Sequence, residues 1–277
     1  MADTGDLKSP ALTGVRVRVP PSARLFFQQV QRRKPSGYHD NARIYSSMIR
    51  TVLWDVDGTL LDFSAAEKAA IRAMFAKFGL GECTDTMLAR YSAINISFWQ
   101  RLERNELSKI QVLTGRFEQF FSEYGISRRI VPEFNANYQL ALGDTIVYQN
   151  DSLSVVKALK GKVKQYVVSN GTVVAQTKKL ERSGLGELMD GIFLSEKLGV
   201  EKPCAAFFEL VLSEIQPDDL SAVLIIGDSL TSDIQGGMNA GINTCWYNPG
   251  RKPVPDGYRV DYDIADLHEL IPLLETS

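Results

Sequence analysis

Asp55 and Asp57 stand two residues apart in the string Asp55-Val56-Asp57-Gly58-Thr59, just after the apolar run Thr51–Trp54. Carboxylates that close repel each other unless a cation or a shared proton offsets them. Magnesium is the natural candidate, because it prefers oxygen ligands and leaves positions for phosphate oxygens. Gly58 permits a sharp turn directly after the acids. A solvated Asp-Gly turn has the same composition, so the rest of the chain must decide between the two.

Three further strings bear on that choice. Val167-Val168-Ser169-Asn170-Gly171 ends another apolar run in small polar groups, whose hydroxyl and backbone N–H groups can hold anionic oxygens. Ser-Asn-Gly is also a common turn. Glu201-Lys202-Pro203 sets a lysine ahead of a helical stretch, where it either neutralises a transferring phosphate or is simply solvated. Leu224–Gly227 leads into Asp228 and Ser229, with Asp233 following. Those acids either join a metal site or cap a helix.

The elements that must position these strings follow from periodicity. Short apolar runs recur at Val163–Val168, Ile192–Leu194, Ala222–Ile226 and Ile242–Trp246. Helical patterns lie between them at Asp151–Leu159, Val173–Arg182 and Ala205–Glu214. This alternation predicts an α/β fold with a parallel sheet covered on both faces. Chemistry in such folds gathers beyond the carboxyl ends of the strands, and each of the four strings follows a predicted strand or leads into a helix. The alternation stops between Phe63 and about Gly143. There Ala66, Ala69, Ala70, Met74, Phe75 and Phe78 form one apolar face, and Phe117, Phe120 and Phe121 contribute to another. We therefore expect a core domain of residues 48–62 and 144–277, interrupted by an all-helical insert over 63–143.

Taken in order, Asp-x-Asp-Gly-Thr, Ser-Asn-Gly, Lys-Pro and Gly-Asp-Ser-x-x-x-Asp resemble the haloacid dehalogenase-like (HAD) hydrolase superfamily, from Met48 to the C-terminus. The resemblance implies a Rossmann-like parallel sheet, with the insert serving as a C1-type cap after the first strand. It implies that Asp55 attacks a phosphoryl group and forms an aspartyl-phosphate. Asp57 would protonate the leaving oxygen and then activate the hydrolytic water. The family's Mg2+ ligands map onto the Asp55 side chain, the Asp57 backbone carbonyl and the Asp228 side chain. Asp233 would support the metal indirectly, and Ser169, Asn170 and Lys202 would bind the phosphoryl oxygens. An acid at position 57 argues against haloacid cleavage, because dehalogenase members lack it and need no magnesium.

The cap strings Asn95-Ile96-Ser97-Phe98-Trp99 and Leu113-Thr114-Gly115-Arg116-Phe117, with the stretch Ser229–Pro249, resemble pyrimidine 5′-nucleotidases. That branch implies a small-molecule phosphomonoester as substrate, a pyrimidine nucleoside monophosphate, with Asn95, Trp99 and Arg116 as candidate contacts. Trp99 would stack on a base and Arg116 would anchor a polar edge. At helical spacing the same aromatics equally fill a core. Phosphatases for sugar phosphates or phosphoglycolate, and phosphomutases, would share every catalytic residue. A non-catalytic binding module would usually have lost one of the acids. Cys204 follows Lys202-Pro203 where many relatives carry Asp or Asn, which predicts altered packing and retained catalysis.

Composition narrows the setting. The 277 residues are 44% hydrophobic and 23% charged, ordinary for a globular chain. No run approaches the roughly 18 apolar residues of a membrane span. Cys83, Cys204 and Cys245 are widely spaced and form no zinc or disulfide pattern, which points to a reducing cytoplasm. His39 and His268 lie outside every motif. A net charge of −2 conceals +6 on residues 1–50 and −8 on the remainder. Such an arm could signal nucleic-acid binding or targeting, yet Asp3 and Asp6 sit badly in a transit peptide and no secretory apolar stretch is present. Pro10, Pro20, Pro21 and Pro35, without any apolar period, predict a disordered extension over 1–47. The string Val17-Arg18-Val19-Pro20 is what GTT-CGA-GTC-CC encodes, a sequence resembling the T-arm of a transfer RNA gene. Met48 is therefore the expected native start. Neither nucleic acid nor membrane is expected as a partner, and the oligomeric state is open.

Overall fold

The computed structural model describes residues 48–275, so the expectations for residues 1–47, His39 included, lie outside the described residues. Six strands form one parallel sheet: β1 (Thr51–Trp54), β2 (Lys164–Ser169), β3 (Gly191–Leu194), β4 (Val223–Gly227), β5 (Asn243–Tyr247) and β6 (Tyr262–Ile264). Their spatial order is β3-β2-β1-β4-β5-β6, with Trp54 in register between Val167 and Ile226. The chain winds outward from β1 to β3 and then crosses back to start β4 on the other side. A crevice therefore opens beside the carboxyl end of β1, where the winding direction reverses.

Alternation along the strands builds two cores. Val52, Trp54, Val167, Leu224 and Ile226 face one side, packed with Val155, Val156 and Leu159 of α5 (Ser152–Leu159) and Leu180 of α6 (Val173–Ser183). Leu53, Val168, Val223 and Ile225 face the other, against Phe207, Phe208, Val211 and Leu212 of α7 (Ala205–Ile215). Burial on both faces explains why these strands read as continuous apolar runs. Two shorter helices, α8 (Gln235–Ala240) and α9 (Leu270–Glu275), complete the layers. β6 has no counterpart among the predicted strands, because its three residues include an exposed Asp263 and form no apolar run.

The segment after β1 folds as four helices: α1 (Phe63–Phe78), α2 (Asp85–Glu103), α3 (Lys109–Glu123) and α4 (Val131–Ala141). They enclose a separate apolar cluster in which the Phe117 ring meets Tyr91, Phe134 and Tyr138 at 5.0–5.2 Å. Aromatic pairs at this separation add to simple burial. Asp62 caps α1 through the Ala65 N–H at 3.0 Å, and its own N–H bonds Val147 O at 2.8 Å. The segments entering and leaving the cap are thus tied together at its base. No helix among the described residues is long and apolar enough to cross a membrane.

Candidate active site

Each catalytic string emerges at one edge of the sheet. β1 delivers Asp55, β2 ends in Ser169, β4 leads into Asp228, and the loop before α7 carries Lys202. The Lys202 ammonium is 1% exposed. It donates to Asp55 Oδ1 at 2.8 Å, Asp233 Oδ1 at 2.6 Å and the Val168 carbonyl at 2.8 Å. Burial works against its charge, but Asp233 and Asp55 outweigh that and hold it firmly cationic, above the usual lysine range. Lys202 itself is held by Asn170, whose side chain accepts from Lys202 N–H and donates to Lys202 O, both at 2.9 Å. The Asn170 side chain thereby fixes the backbone of Lys202. Ser169 Oγ, beside it, accepts the Gly171 N–H at 3.1 Å.

One lysine does not neutralise this crevice. Oxygens of Asp55, Asp228 and Asp233 lie within 4.8 Å of one another. Burial pushes Asp55 up to about 7, with Lys202 offsetting part of the rise and Asp233 and Asp57 adding to it. Asp228 is exposed at the mouth of the crevice, yet the protein packed around it, followed by Asp55 and Asp233, holds its carboxyl well above the usual range. Asp233 is raised by burial despite its bond to Lys202. Both Asp233 oxygens are engaged, one by Lys202 and the other by the Ser229 N–H at 3.2 Å. Asp228, in contrast, receives only a 3.4 Å contact from Thr59. Three carboxylates against one cation, all oxygen donors, form a set that could hold Mg2+.

Local backbone chemistry makes this convergence possible. Gly58 has φ of +96°, and a Cβ there would lie 2.5 Å from Asp228 Oδ2. Only glycine lets the turn after β1 approach the acid after β4 so closely. Thr59 seals the junction, donating to Asp55 Oδ2 at 3.1 Å while accepting the Asp228 N–H at 3.1 Å. Sequence reasoning missed Thr59 as a site residue, although it stands inside the first string.

Asp57 takes a different set of partners. Gln176 Nε2 donates to its Oδ2 at 2.6 Å, and Lys179 Nζ donates to its Oδ1. Neither residue was anticipated. Their spacing of three places both on one face of α6, the only signal the sequence offers.

The cap reaches the core at two points. Glu103, at the end of α2, accepts from Thr231 Oγ1 at 2.5 Å, and Lys109, at the start of α3, donates to Ser195 Oγ at 2.8 Å. Of the candidate substrate contacts, Asn95 and Arg116 do not face the crevice. Both are 1% exposed and bond each other at 2.7 Å, while Asn95 also donates to Glu67 at 2.8 Å. The Arg116 terminal nitrogens are engaged inside the cap, by Asn95 and by Asn135 Oδ1 at 3.3 Å, while its buried Nε has no partner. Trp99 remains half-buried, packed on the edge of the cap core one helical turn before Glu103.

These features agree with known proteins. A family model of haloacid dehalogenase-like hydrolases matches residues 49–241. The HAD-hydrolase YfnB of Bacillus subtilis strain 168 is 36% identical over 81% of this chain and 95% of its own. The pyrimidine 5′-nucleotidase PynA of Streptococcus pneumoniae strain R6 is 32% identical, over 82% of this chain and 95% of its own. The pyrimidine 5′-nucleotidase YjjG of Escherichia coli K12 is 30% identical, over 80% of this chain and 96% of its own. A crystal structure of YfnB bound to magnesium superposes with a TM-score of 0.76 at 35% identity, covering 82% of this chain and 99% of that one. With the acids, the lysine and the glycine turn assembled at one sheet edge, and relatives matched over nearly their full lengths, the chain belongs to the haloacid dehalogenase-like hydrolases.

Proposed function

We propose that this hydrolase is a Mg2+-dependent phosphomonoesterase acting through an aspartyl-phosphate, with pyrimidine nucleoside 5′-monophosphates as its substrates. The observation that carries the chemistry is the Lys202 ammonium, which bridges Asp55 and Asp233 in a crevice with a surplus of carboxylates. A phosphoryl group brings further negative charge, so the site must supply cations and fixed donors before it can bind one. Bound Mg2+ would supply the remaining positive charge, held by Asp55, Asp228 and the Asp57 backbone carbonyl.

In the first step an Asp55 oxygen forms a bond to phosphorus as the ester P–O bond breaks. Asp57 gives its proton to the departing oxygen. In the second, Asp57 takes a proton from water, which attacks the aspartyl-phosphate and regenerates the Asp55 carboxylate as inorganic phosphate leaves. The Lys202 charge, the Ser169 hydroxyl and the Asn170 segment attend the phosphoryl oxygens, and the Asn170 side chain also keeps Lys202 in place.

The pyrimidine reading is supported by the likeness to PynA and YjjG and by Trp99, which stands at the cap edge near the Glu103 contact with the core. The purified chain, assayed with magnesium, should hydrolyse dUMP, dTMP and UMP, and Asp55→Asn should abolish turnover while leaving the circular dichroism spectrum intact. A sugar phosphate exceeding all three nucleotides tenfold in kcat/KM would overturn the substrate. Inactivity on every phosphomonoester, p-nitrophenyl phosphate included, would overturn the reaction.

A further inference from the structure

We propose that Lys179 and Gln176 are positioning residues for Asp57: together they fix the plane of its carboxylate, and through it the alignment of proton transfer to the leaving group. This rests on the acid–base role given to Asp57 above. Both Asp57 oxygens are engaged by one face of α6, Oδ2 by Gln176 Nε2 at 2.6 Å and Oδ1 by the Lys179 ammonium. A carboxylate held at each oxygen has its rotation about χ2 blocked. The remaining lone-pair position, which the acidic proton occupies when Asp57 is protonated, then points in a set direction, as a proton donor to a positioned oxygen requires.

Two features show that the arrangement is maintained against a cost. Gln176 is fully buried, and its Oε1 has no hydrogen-bond partner. Turning the amide over would place that oxygen against the Asp57 carboxylate, so the orphaned acceptor is retained to keep Nε2 on Asp57. An unsatisfied buried acceptor costs about 1–3 kcal/mol. Space is also reserved for this side chain: a Cβ on Gly171 would lie 2.2 Å from Gln176 Nε2. The glycine of Ser-Asn-Gly thus clears room for the group that holds Asp57.

Lys179 is 1% exposed, and Asp57 is its carboxylate partner in the described ion pairs. Its ammonium also lies 5.1 Å from the centre of the Phe63 ring, the first residue of α1. A buried ion pair is seldom more stabilising than an apolar pair of similar size, so stability alone is a poor reason to keep a lysine here. α6 is further tied to the cap by Thr172, its N-cap, whose hydroxyl donates to Gln139 at 2.8 Å. The helix that orients Asp57 is therefore gripped where cap and core meet.

The test compares leaving groups. kcat/KM reports steps through departure of the leaving group, so the later water-activation step does not contribute to it. Lys179→Met and Gln176→Leu are assayed with dUMP, whose alkoxide needs a proton, and with p-nitrophenyl phosphate, whose phenolate does not. We expect kcat/KM for dUMP to fall about 100-fold, the lower range for general acid catalysis, and for p-nitrophenyl phosphate by less than fivefold. Asp57→Asn should show the same selectivity and set its ceiling. Should Lys179→Met fail to fold, Gln176→Leu carries the comparison alone. Equal losses on both esters would reduce the pair to scaffolding, and unchanged dUMP hydrolysis would remove its role; either result overturns the proposal. A wild type inactive on both esters would instead overturn the proposed reaction.

Discussion

Replacing Lys202 by Met tests the electrostatic reasoning at its most exposed point. The substitution keeps most of the side-chain volume and removes one charge that is 1% accessible. Two charge-assisted hydrogen bonds vanish, to Asp55 at 2.8 Å and Asp233 at 2.6 Å, and the Val168 carbonyl loses its donor. Breaking a buried pair by deleting one partner costs about 3–5 kcal/mol, because the other charge stays behind uncompensated. For a folded region of this size that lowers Tm by roughly 2–4 °C per kcal/mol, or about 10 °C in all. The pH dependence has a definite sign. Without the lysine, Asp55 and Asp233 hold protons more tightly in the native state than in the unfolded chain. Wild-type Asp55 already keeps its proton up to about 7, so the loss should be smallest at acid pH, where native Asp55 is protonated with or without the lysine, and should grow as pH rises through 7 toward 8. Urea titrations of wild type and Lys202→Met at pH 4.5 and pH 8, without magnesium, measure it. A variant as stable as wild type at pH 8, or a loss larger at pH 4.5, would refute the claim that Lys202 offsets the acids. Turnover should fall at least 100-fold, since a fixed cation at a transferring phosphoryl group is lost.

Other substitutions probe separate parts of the site. Gly58→Ala must place a Cβ 2.5 Å from Asp228 Oδ2 at a φ of +96°, a strain of about 1–3 kcal/mol. A magnesium titration of activity should show the half-saturating concentration raised more than tenfold, and an unshifted curve would contradict the close approach. Burial raises the Glu67 carboxyl above its usual range, with Ser92, Asn95 and Arg116 offsetting only part of the rise. The native state thus keeps that proton above the ordinary carboxyl pKa of 4.5, and stability from this group declines as pH rises above it. Glu67→Gln should flatten the stability–pH profile by up to about 1.4 kcal/mol per pH unit, read by thermal denaturation between pH 4.5 and 7. Trp99→Leu should raise KM for dUMP several-fold while leaving p-nitrophenyl phosphate hydrolysis within twofold; equal effects on both would assign Trp99 to cap packing alone.

The sequence by itself determined the features that depend on local pattern. Apolar runs marked five of the six strands, most plainly β1 and β4, which are buried on both faces and so cannot hide their composition. Helical spacing of Ala66, Ala70, Met74 and Phe75 marked the inner face of α1, and the order of the four strings placed Asp55, Ser169 and Asp228 at strand ends and Lys202 ahead of a helix. Tertiary structure alone decided which side chains meet. Lys179 reaches Asp57 across 122 residues and Thr231 reaches Glu103 across 128, pairings set by how crossovers and cap fold back over the sheet. The same is true of Asn95 and Arg116. Periodicity placed them on helices, but only the packing of α1, α2 and α3 turned both inward, to Glu67 and to each other. Helical period fixes a face, whereas the partner of that face depends on distant segments, and that information is not local.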